Sequence, residues 1–229
     1  MKALCIGVSQ TGKSTFAFNL ALQTGKQVVI WDANEVFVDV VREPVYTPSD
    51  LEDALRKKEG IIVYDATAAD DRHLEFLGFA ATLENFDGHT LLVDEAGDVQ
   101  RANDPNSGLD RLYRRSGRRG NDVIETTHRP SDIATLNRTL TLDTYIFAMP
   151  NRKARKAIAD EFSQEAADES ATLPDYVYVH FHNRTGTFEV VDDPEAWYVD
   201  LSKPVQVERK PSAPQGRNTL WEEQNVYGG

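Results

Sequence analysis

The stretch Gly7-Val-Ser-Gln-Thr-Gly-Lys13-Ser14 follows a short apolar run, residues 3–6, and precedes a segment with helical spacing of apolar residues, 15–24. Glycines at positions 7 and 12 permit backbone torsions and close approaches that a Cβ atom would block. The backbone N–H groups between them can form a nest for an anion at the positive end of a helix. A strand, a glycine turn and a helix in this order predict a phosphate loop that binds a nucleoside triphosphate.

Each residue of this loop has a predicted role in binding ATP and Mg²⁺. Lys13 is expected to reach the β- and γ-phosphates, and the hydroxyl of Ser14 is expected to ligate Mg²⁺. The N–H groups of residues 9–14 are expected to line the anion nest. The predicted nucleotide-binding residues are Gly7, Ser9, Gln10, Thr11, Gly12, Lys13, Ser14 and Thr15.

A second element is the run Thr90-Leu-Leu-Val, which ends at the acids Asp94 and Glu95. An acid that ends a buried strand beside a phosphate loop can hold Mg²⁺ through water, and we assign this role to Asp94. Glu95 is then placed to act as a general base that polarises a water for attack on the γ-phosphate. The alternative for Asp94 is a turn residue that ends a strand. Asp65 also ends a predicted strand, but no second acid follows it.

A third element is the predicted strand at 122–127, which ends in the polar pair Thr127-His128 followed by Arg-Pro. A polar residue at this position can contact both the γ-phosphate and the attacking water. His128 is therefore a candidate nucleotide sensor. The alternative is a histidine that faces solvent at the end of a strand.

The rest of the chain alternates strands with helices, which predicts an α/β fold with a mostly parallel sheet. The predicted strands are 3–6, 27–31, 60–65, 89–94, 122–127 and 144–149, and the predicted helices are 15–24, 49–58, 70–85, within 107–119, 131–138 and 151–162. Residues 176–182 and 187–191 alternate like strands around Asn183-Arg-Thr-Gly, which predicts an antiparallel hairpin. We expect one domain, 1–201, with a core at 1–150 and the last helix and hairpin at 151–191. Residues 202–229 are expected to form a polar C-terminal arm.

Some local expectations can be compared with a structure. Ser49 and Glu52 fit a capping box at the start of the second helix. In the third helix, the residues expected to face inward are Leu74, Leu77, Ala81 and Leu83. Trp31 is expected to pack in the core rather than against a base. His180 and His182 lie on one strand face, as a metal pair could, but we expect no third ligand nearby and favour a solvated strand.

Composition limits the class of protein. The 229 residues carry a net charge of −12, with 40% apolar and 27% charged residues, which is ordinary for a soluble globular protein. No apolar run approaches the ~18 residues that span a bilayer. No leader is evident, and the single Cys5 fits a reducing compartment, so we expect a cytoplasmic protein. Residues 101–119 hold six arginines against two aspartates, a basic strip that could touch a polyanion.

The phosphate loop, the Asp94-Glu95 pair and the run Thr127-His-Arg-Pro-Ser-Asp-Ile resemble the HerA/FtsK superfamily of DNA-pumping ATPases. The resemblance covers roughly residues 1–150 and implies a RecA-like core. His128 stands where glutamine is usual in that family. The resemblance also implies an arginine finger just before the sensor strand, which maps onto Arg118 or Arg119. Such a finger acts on the neighbouring subunit, which implies a homo-oligomeric ring, most often a hexamer.

Within that superfamily, the chain is similar in size to the genome-packaging ATPases of tailless icosahedral viruses with an internal membrane. This likeness implies a double-stranded DNA translocase that packages a genome into a preformed capsid, in the host cytoplasm or associated with the virion. A capsid vertex or a membrane protein is then an expected partner. The filamentous-phage assembly branch, which is zonula-occludens-toxin-like, is a further alternative, although it usually adds a transmembrane helix.

Two other classes of P-loop protein stay open at this point. A small-molecule or nucleotide kinase would also use the phosphate loop, and the basic strip at 101–119 could be its lid. Glu95 directly after Asp94 favours activation of water instead. A nucleotide-switched binding module is the other class, but the guanine-specificity motif Asn-Lys-x-Asp is missing from the sequence.

Overall fold

The computed structural model describes residues 1–100, 107–192 and 201. Its strands are β1 (Lys2–Ile6), β2 (Gln27–Asp32), β3 (Ile61–Asp65), β4 (His89–Val93), β5 (Asp122–Thr127), β6 (Asp143–Ile146), β7 (Tyr178–His182) and β8 (Thr187–Val191). They form one sheet in the order β3-β2-β4-β5-β1-β6-β7-β8. The first six are parallel, and β7 and β8 are antiparallel. The predicted RecA-like α/β fold with a C-terminal hairpin is confirmed. The predicted arm, 202–229, lies outside the described residues.

Seven α-helices of the described residues connect these strands. They are α1 (Lys13–Gln23), α2 (Pro48–Lys57), α3 (Arg72–Leu83), α4 (Gly108–Arg119), α5 (Thr135–Leu140), α6 (Arg152–Glu161) and α7 (Gln164–Glu169). Short 3₁₀ segments lie at Val38–Val40, Ala96–Asp98 and Pro130–Asp132. Within the described ranges, no helix is both long and apolar enough to cross a bilayer.

The core has one layer on each face of the sheet, because the central strands β1, β4 and β5 are buried on both faces at every position except Lys2. In β1, Leu4 and Ile6 pack into one layer, while Ala3 and Cys5 pack into the other. The first layer includes the apolar faces of α2, α3 and α4, and the second includes that of α1. Trp31 is fully buried in the first layer, as expected, and its ring stacks on Tyr64 at 5.4 Å.

The predicted capping box of α2 is wrong. The helix begins one residue earlier, at Pro48, and Thr47 is its N-cap. The hydroxyl of Thr47 accepts a hydrogen bond of 3.2 Å from the backbone N–H of Asp50. Proline suits the first helical position because its φ is already helical and it has no N–H to leave unpaired. The cap therefore belongs to the residue before Pro48, and Ser49 lies inside the helix.

The predicted inward face of α3 is also largely wrong. Leu74 is 65% exposed, whereas Leu83 is buried as expected. The other buried residues of this helix are Phe76, Phe79 and Ala80. Both phenylalanine rings pack edge-on against Trp31. The larger aromatic area decides which face is buried, since burial free energy grows with the apolar area removed from water.

Two element bounds after β5 differ from the sequence prediction. Proline at 130 starts a 3₁₀ turn, so α5 begins only at Thr135 rather than at Ser131. Strand β6 ends at Ile146, three residues earlier than predicted. The backbone continues to follow β1 for one more step, because the N–H of Phe147 donates to the carbonyl of Ile6 at 2.7 Å.

Candidate nucleotide-binding site

The strand order brings three polar segments to one edge of the sheet. The phosphate loop follows β1, Asp94 follows β4, and His128 follows β5. Strand β5 lies between the other two, with Cys5 opposite Thr126 on one side and Val93 opposite Glu125 on the other. Because all three strands are parallel, their carboxyl ends meet at this edge.

The phosphate loop is held in a conformation that depends on its two glycines. Gly12 has a φ of 89° and is the N-cap of α1. A Cβ atom on Gly7 would lie 2.6 Å from the Cβ atom of Phe147, so only glycine fits there. The hydroxyl of Thr11 donates to the carbonyl of Val8 at 2.9 Å, which ties the turn together. Ser9 and Gln10 are exposed at the tip of the loop. The two glycines and the Thr11 hydrogen bond therefore fix the shape of the loop.

Ser14 and Asp94 form the part of the site that suits a magnesium ion. The hydroxyl of Ser14 donates to Asp94 Oδ1 at 3.0 Å, and the hydroxyl of Thr126 donates to the same oxygen at 2.8 Å. Asp94 is only 2% exposed, and this burial raises the pKa of its carboxyl against the opposing effects of Lys13, Thr126 and Ser14. Hydroxyl and carboxylate oxygens are the hard ligands that Mg²⁺ prefers, so these residues fit the ion.

Glu95 has an unusual backbone that aims its side chain into the site. Its φ and ψ of 51° and 58° are left-handed, which costs about 1–3 kcal/mol for a residue other than glycine. The backbone N–H donates to the hydroxyl of Thr126 at 3.1 Å, and this bond helps to hold the conformation. The carboxylate Oε1 lies 3.1 Å from Lys13 Nζ and 3.0 Å from His128 Nε2.

His128 connects the phosphate loop with Glu95. Its Nδ1 lies 3.1 Å from the carbonyl oxygen of Gly7, and its Nε2 contacts the Glu95 carboxylate. Both ring nitrogens therefore face oxygen atoms, one in the segment that follows β1 and one in the segment that follows β4. A side chain in this position can transmit a change at the γ-phosphate end of the pocket to the sheet.

Thr126 is a site residue that the sequence analysis missed. The sequence pattern singled out the neighbouring pair Thr127-His128 at the end of the strand. The hydroxyl of Thr127, however, donates to the carbonyl of Arg129 at 3.2 Å. In an extended strand, side chains two residues apart lie on the same face. Thr126 and His128 therefore point to the same side, and this alternation is the signal that could have identified Thr126.

These residues line a pocket of about 640 Å³ that opens above the phosphate loop. Tyr176 also lines it and was not predicted. The backbone N–H of Tyr176 donates to the carbonyl of Thr11 at 3.0 Å, and its φ of 69° is left-handed. Asn34 and Val36 form another wall. Their loop is fastened by Asp32, whose carboxylate accepts the N–H groups of Asn34, Val36 and Phe37.

The structure does not bring Arg118 and Arg119 to this pocket. Helix α4 ends at Arg119, and its carbonyl accepts the N–H of Gly88 just before β4 begins. Both arginines therefore lie at the amino edge of the sheet, opposite the phosphate loop. Arg119 Nη1 pairs with Asp87 at 2.8 Å, while Arg118 is exposed.

Other arginines of the basic strip are also engaged with acids. Arg111 and Arg115 both pair with Glu84, at 2.6 and 2.5 Å. These ion pairs join α4 to the end of α3. Much of the strip's positive charge is thereby compensated locally, and Arg101 lies outside the described residues.

No protein-family model and no curated protein sequence matches the chain. Solved structures do resemble it. The genome packaging NTPase B204 from Sulfolobus turreted icosahedral virus 2, in complex with AMP, superposes with a TM-score of 0.65 at 19% identity, covering 83% of this chain and 96% of that one. The same protein in complex with ATP-gammaS gives a TM-score of 0.64, also at 19% identity and with the same coverage of both chains. VirB4 of Thermoanaerobacter pseudethanolicus gives a TM-score of 0.64 at 13% identity, covering 83% of this chain and 88% of that one. The chain thus shares its fold with the FtsK/HerA-type P-loop ATPases.

Proposed function

We propose that this protein is an ATPase that couples hydrolysis of ATP to translocation of double-stranded DNA. The observation that carries the proposal is the position of Glu95, whose carboxylate lies beside Lys13 and His128 and directly after Asp94. A carboxylate at this place can activate water. The chain shares its fold with a genome packaging NTPase of a virus. This likeness supports the proposal that the translocated substrate is DNA and that the DNA is a viral genome.

The chemical step needs few groups, because phosphoryl transfer depends mainly on positioning and charge stabilisation. Lys13 binds the β- and γ-phosphates, together with the N–H groups of the loop. Ser14 and Asp94 would hold Mg²⁺, which would neutralise charge on the phosphate oxygens. Glu95 accepts a proton from water as the water oxygen attacks the γ-phosphorus, and ADP leaves with the electron pair of the broken P–O bond.

His128 has two roles in this scheme. Its Nε2 orients the carboxylate of Glu95, and its Nδ1 reports the position of the phosphate loop through the carbonyl of Gly7. Movement of the loop on nucleotide binding would change the second contact and, through the ring, the first. His128 therefore serves as the nucleotide sensor.

The protein works as a homo-oligomeric ring, most simply a hexamer. Arg118 and Arg119 lie at the sheet edge opposite their own nucleotide pocket, so either can serve only the pocket of a neighbouring subunit. We assign the arginine finger to Arg118, because Arg119 is engaged with Asp87. An arginine finger supplied in trans makes hydrolysis in one subunit depend on its neighbour. This dependence allows the subunits of a ring to hydrolyse ATP one after another.

Packaging into a preformed capsid is the cellular role that we propose, with docking on a capsid vertex or a membrane protein. We expect the DNA contact to be with phosphates rather than with bases, because the acidic body leaves only local basic surface, such as the exposed Arg114 on α4. Such contacts give affinity without sequence preference and weaken as salt is raised.

The first experiment measures ATP hydrolysis by the purified protein at low salt, with and without double-stranded DNA, together with its mass in solution. Turnover that rises with DNA in a ring-sized species supports the translocase. A monomer whose turnover ignores DNA contradicts it and favours the kinase, which a screen of phosphate acceptors would then identify. If a ring-sized species hydrolyses ATP at a rate that DNA does not change, the ATPase activity is supported and the proposal that DNA is the substrate is contradicted.

A further inference from the structure

A second group of metal-ligating side chains lies at the edge of the sheet opposite the phosphate loop. Asp143 begins β6, and His180 and His182 lie on β7. One ligand atom from each of the three lies within 4.8 Å of the others. The expectation that the two histidines have no third ligand nearby is therefore wrong. Asp143 is distant in sequence, but the antiparallel register places it directly opposite His182.

Two of the distances between these ligand atoms are already close to those of a metal site. His180 Nε2 lies 3.1 Å from Asp143 Oδ1, and His182 Nδ1 lies 3.2 Å from the same oxygen. A tetrahedral zinc ion with bonds of 2.0–2.2 Å keeps its ligands about 3.3–3.5 Å apart. An ion could therefore replace the protons between these atoms with shifts of a few tenths of an ångström.

Two neighbouring side chains lie against the His180 ring. The ring of Tyr145 stacks on the imidazole at 4.5 Å and 22°. Glu189 on β8 lies opposite His180, and its Oε1 is 3.7 Å from His180 Nδ1. This distance is longer than a hydrogen bond, so Glu189 places negative charge beside the ring without fixing its tautomer. His180 Nε2 faces Asp143 and is the nitrogen available for a metal.

We propose that Asp143, His180 and His182 bind a divalent transition-metal ion, with Zn²⁺ as the best match. Two imidazoles and one carboxylate suit zinc, whereas Mg²⁺ and Ca²⁺ prefer all-oxygen sites. The histidine side chains are 17% and 41% exposed, so an ion can enter from solvent and keep a water as its fourth ligand. The site does not depend on the proposed ATPase activity.

The consequence of binding is structural. The ion joins β6 to β7, so it holds the C-terminal hairpin against the parallel sheet. The stacked ring of Tyr145 also contacts Phe16 of α1 at 4.7 Å. A ligand that binds only the folded state raises the melting temperature by mass action. Zinc should therefore stabilise the protein even when no nucleotide is present.

The test begins with full-length protein treated with a chelator and dialysed. Zn²⁺ is titrated by calorimetry in excess Mg²⁺, which blocks the site at Asp94. We expect one Zn²⁺ per chain, a raised melting temperature and, with Co²⁺ in place of Zn²⁺, the visible absorption of a four-coordinate ion. His182→Asn and Asp143→Asn should each remove this site.

His73→Asn is the matched control, because His73 lies on α3 outside the cluster and should leave Zn²⁺ binding unchanged. Absence of stoichiometric binding by the wild type overturns the proposal. So does an unchanged affinity in both His182→Asn and Asp143→Asn. If a variant fails to fold by circular dichroism, the Co²⁺ spectrum of the wild type decides, since a six-coordinate spectrum contradicts the assigned site.

Discussion

The hydroxyl of Thr126 donates a 2.8 Å hydrogen bond to Asp94, across the boundary between β5 and β4. The same hydroxyl accepts the backbone N–H of Glu95, the residue that follows Asp94. One small side chain thus positions both the acid proposed to hold Mg²⁺ and the acid proposed to activate water.

Replacing Thr126 with valine should lower ATP turnover roughly 10- to 100-fold, because a buried hydrogen bond to a charged group contributes about 1.5–3 kcal/mol. The Mg²⁺ concentration that gives half-maximal activity should also rise. Steady-state kinetics over a Mg²⁺ series measures both effects. Thr126→Ser keeps the hydroxyl and should retain most activity. An equal loss in the serine and valine variants would assign the effect to packing instead.

Replacing Lys13 with alanine should abolish nucleotide binding, because the phosphates lose their main cationic partner. Lys13 is buried, and its ammonium group donates to Glu95 inside the site. Binding of a fluorescent ATP analogue measures the effect. Lys57→Ala removes the same charge from the exposed end of α2 and should bind normally. Full affinity in the Lys13 variant would exclude the phosphate-loop assignment.

Replacing Glu95 with glutamine should separate binding from hydrolysis. The variant should bind ATP with nearly normal affinity, while kcat falls about 10²- to 10⁴-fold, since it loses the general base. Glu35→Gln, at an exposed position beside the pocket wall, is the matched control and should hydrolyse ATP normally. Single-turnover hydrolysis at saturating ATP distinguishes the two. A Glu95→Gln variant with near-normal kcat would remove Glu95 from the role of base.

Replacing Arg118 with alanine should eliminate ATP turnover in homogeneous rings while leaving ATP binding intact. Arg56→Ala, which removes an exposed arginine from α2, serves as the control. Mixed rings of wild-type and Arg118→Ala subunits should lose activity non-linearly with the mutant fraction, because each pocket depends on its neighbour. Activity that tracks the wild-type fraction linearly argues against a finger in trans, and a stronger effect of Arg119→Ala would transfer the role to Arg119.

Glu125 should make stability depend on pH. Its side chain is completely buried, and burial raises its pKa from an ordinary 4.5 to about 8, although the amides of Gln100 and Asn137 oppose the shift. Between these two values the folded state holds a proton that the unfolded state has released. Stability should therefore fall as pH rises from 4.5 toward 8 and level off above it.

Glu125→Gln cannot ionise and should show a flatter profile. As pH rises from 4.5 toward 8, the variant should therefore become progressively more stable relative to the wild type, measured as the free energy of unfolding. Urea denaturation at a series of pH values measures it. Comparing the two proteins at each pH cancels the opposing contribution of buried His89, whose pKa is lowered to about 4. A difference that does not change with pH would show that Glu125 does not titrate there.

The sequence by itself determined the local chemistry. The phosphate loop, the acid pair and the alternation of strands with helices follow from turn geometry, apolar periodicity and the positive end of a helix, all of which act within about ten residues. These signals were sufficient for the fold class and for placing Lys13, Ser14, Asp94, Glu95 and His128 at one sheet edge. They did not predict features that depend on packing against a distant segment. The buried face of α3, for example, is the one that packs against Trp31 on β2.

Only the tertiary structure decided which residues meet across strands. Strand order and register are set by packing and hydrogen bonds between segments far apart in the chain, so no local pattern encodes them. The insertion of β5 between β1 and β4 brings Thr126 to Asp94. The antiparallel pairing of β6 with β7 brings Asp143 to His180 and His182. Both contacts join residues more than thirty positions apart, which is why the sequence alone did not reveal them.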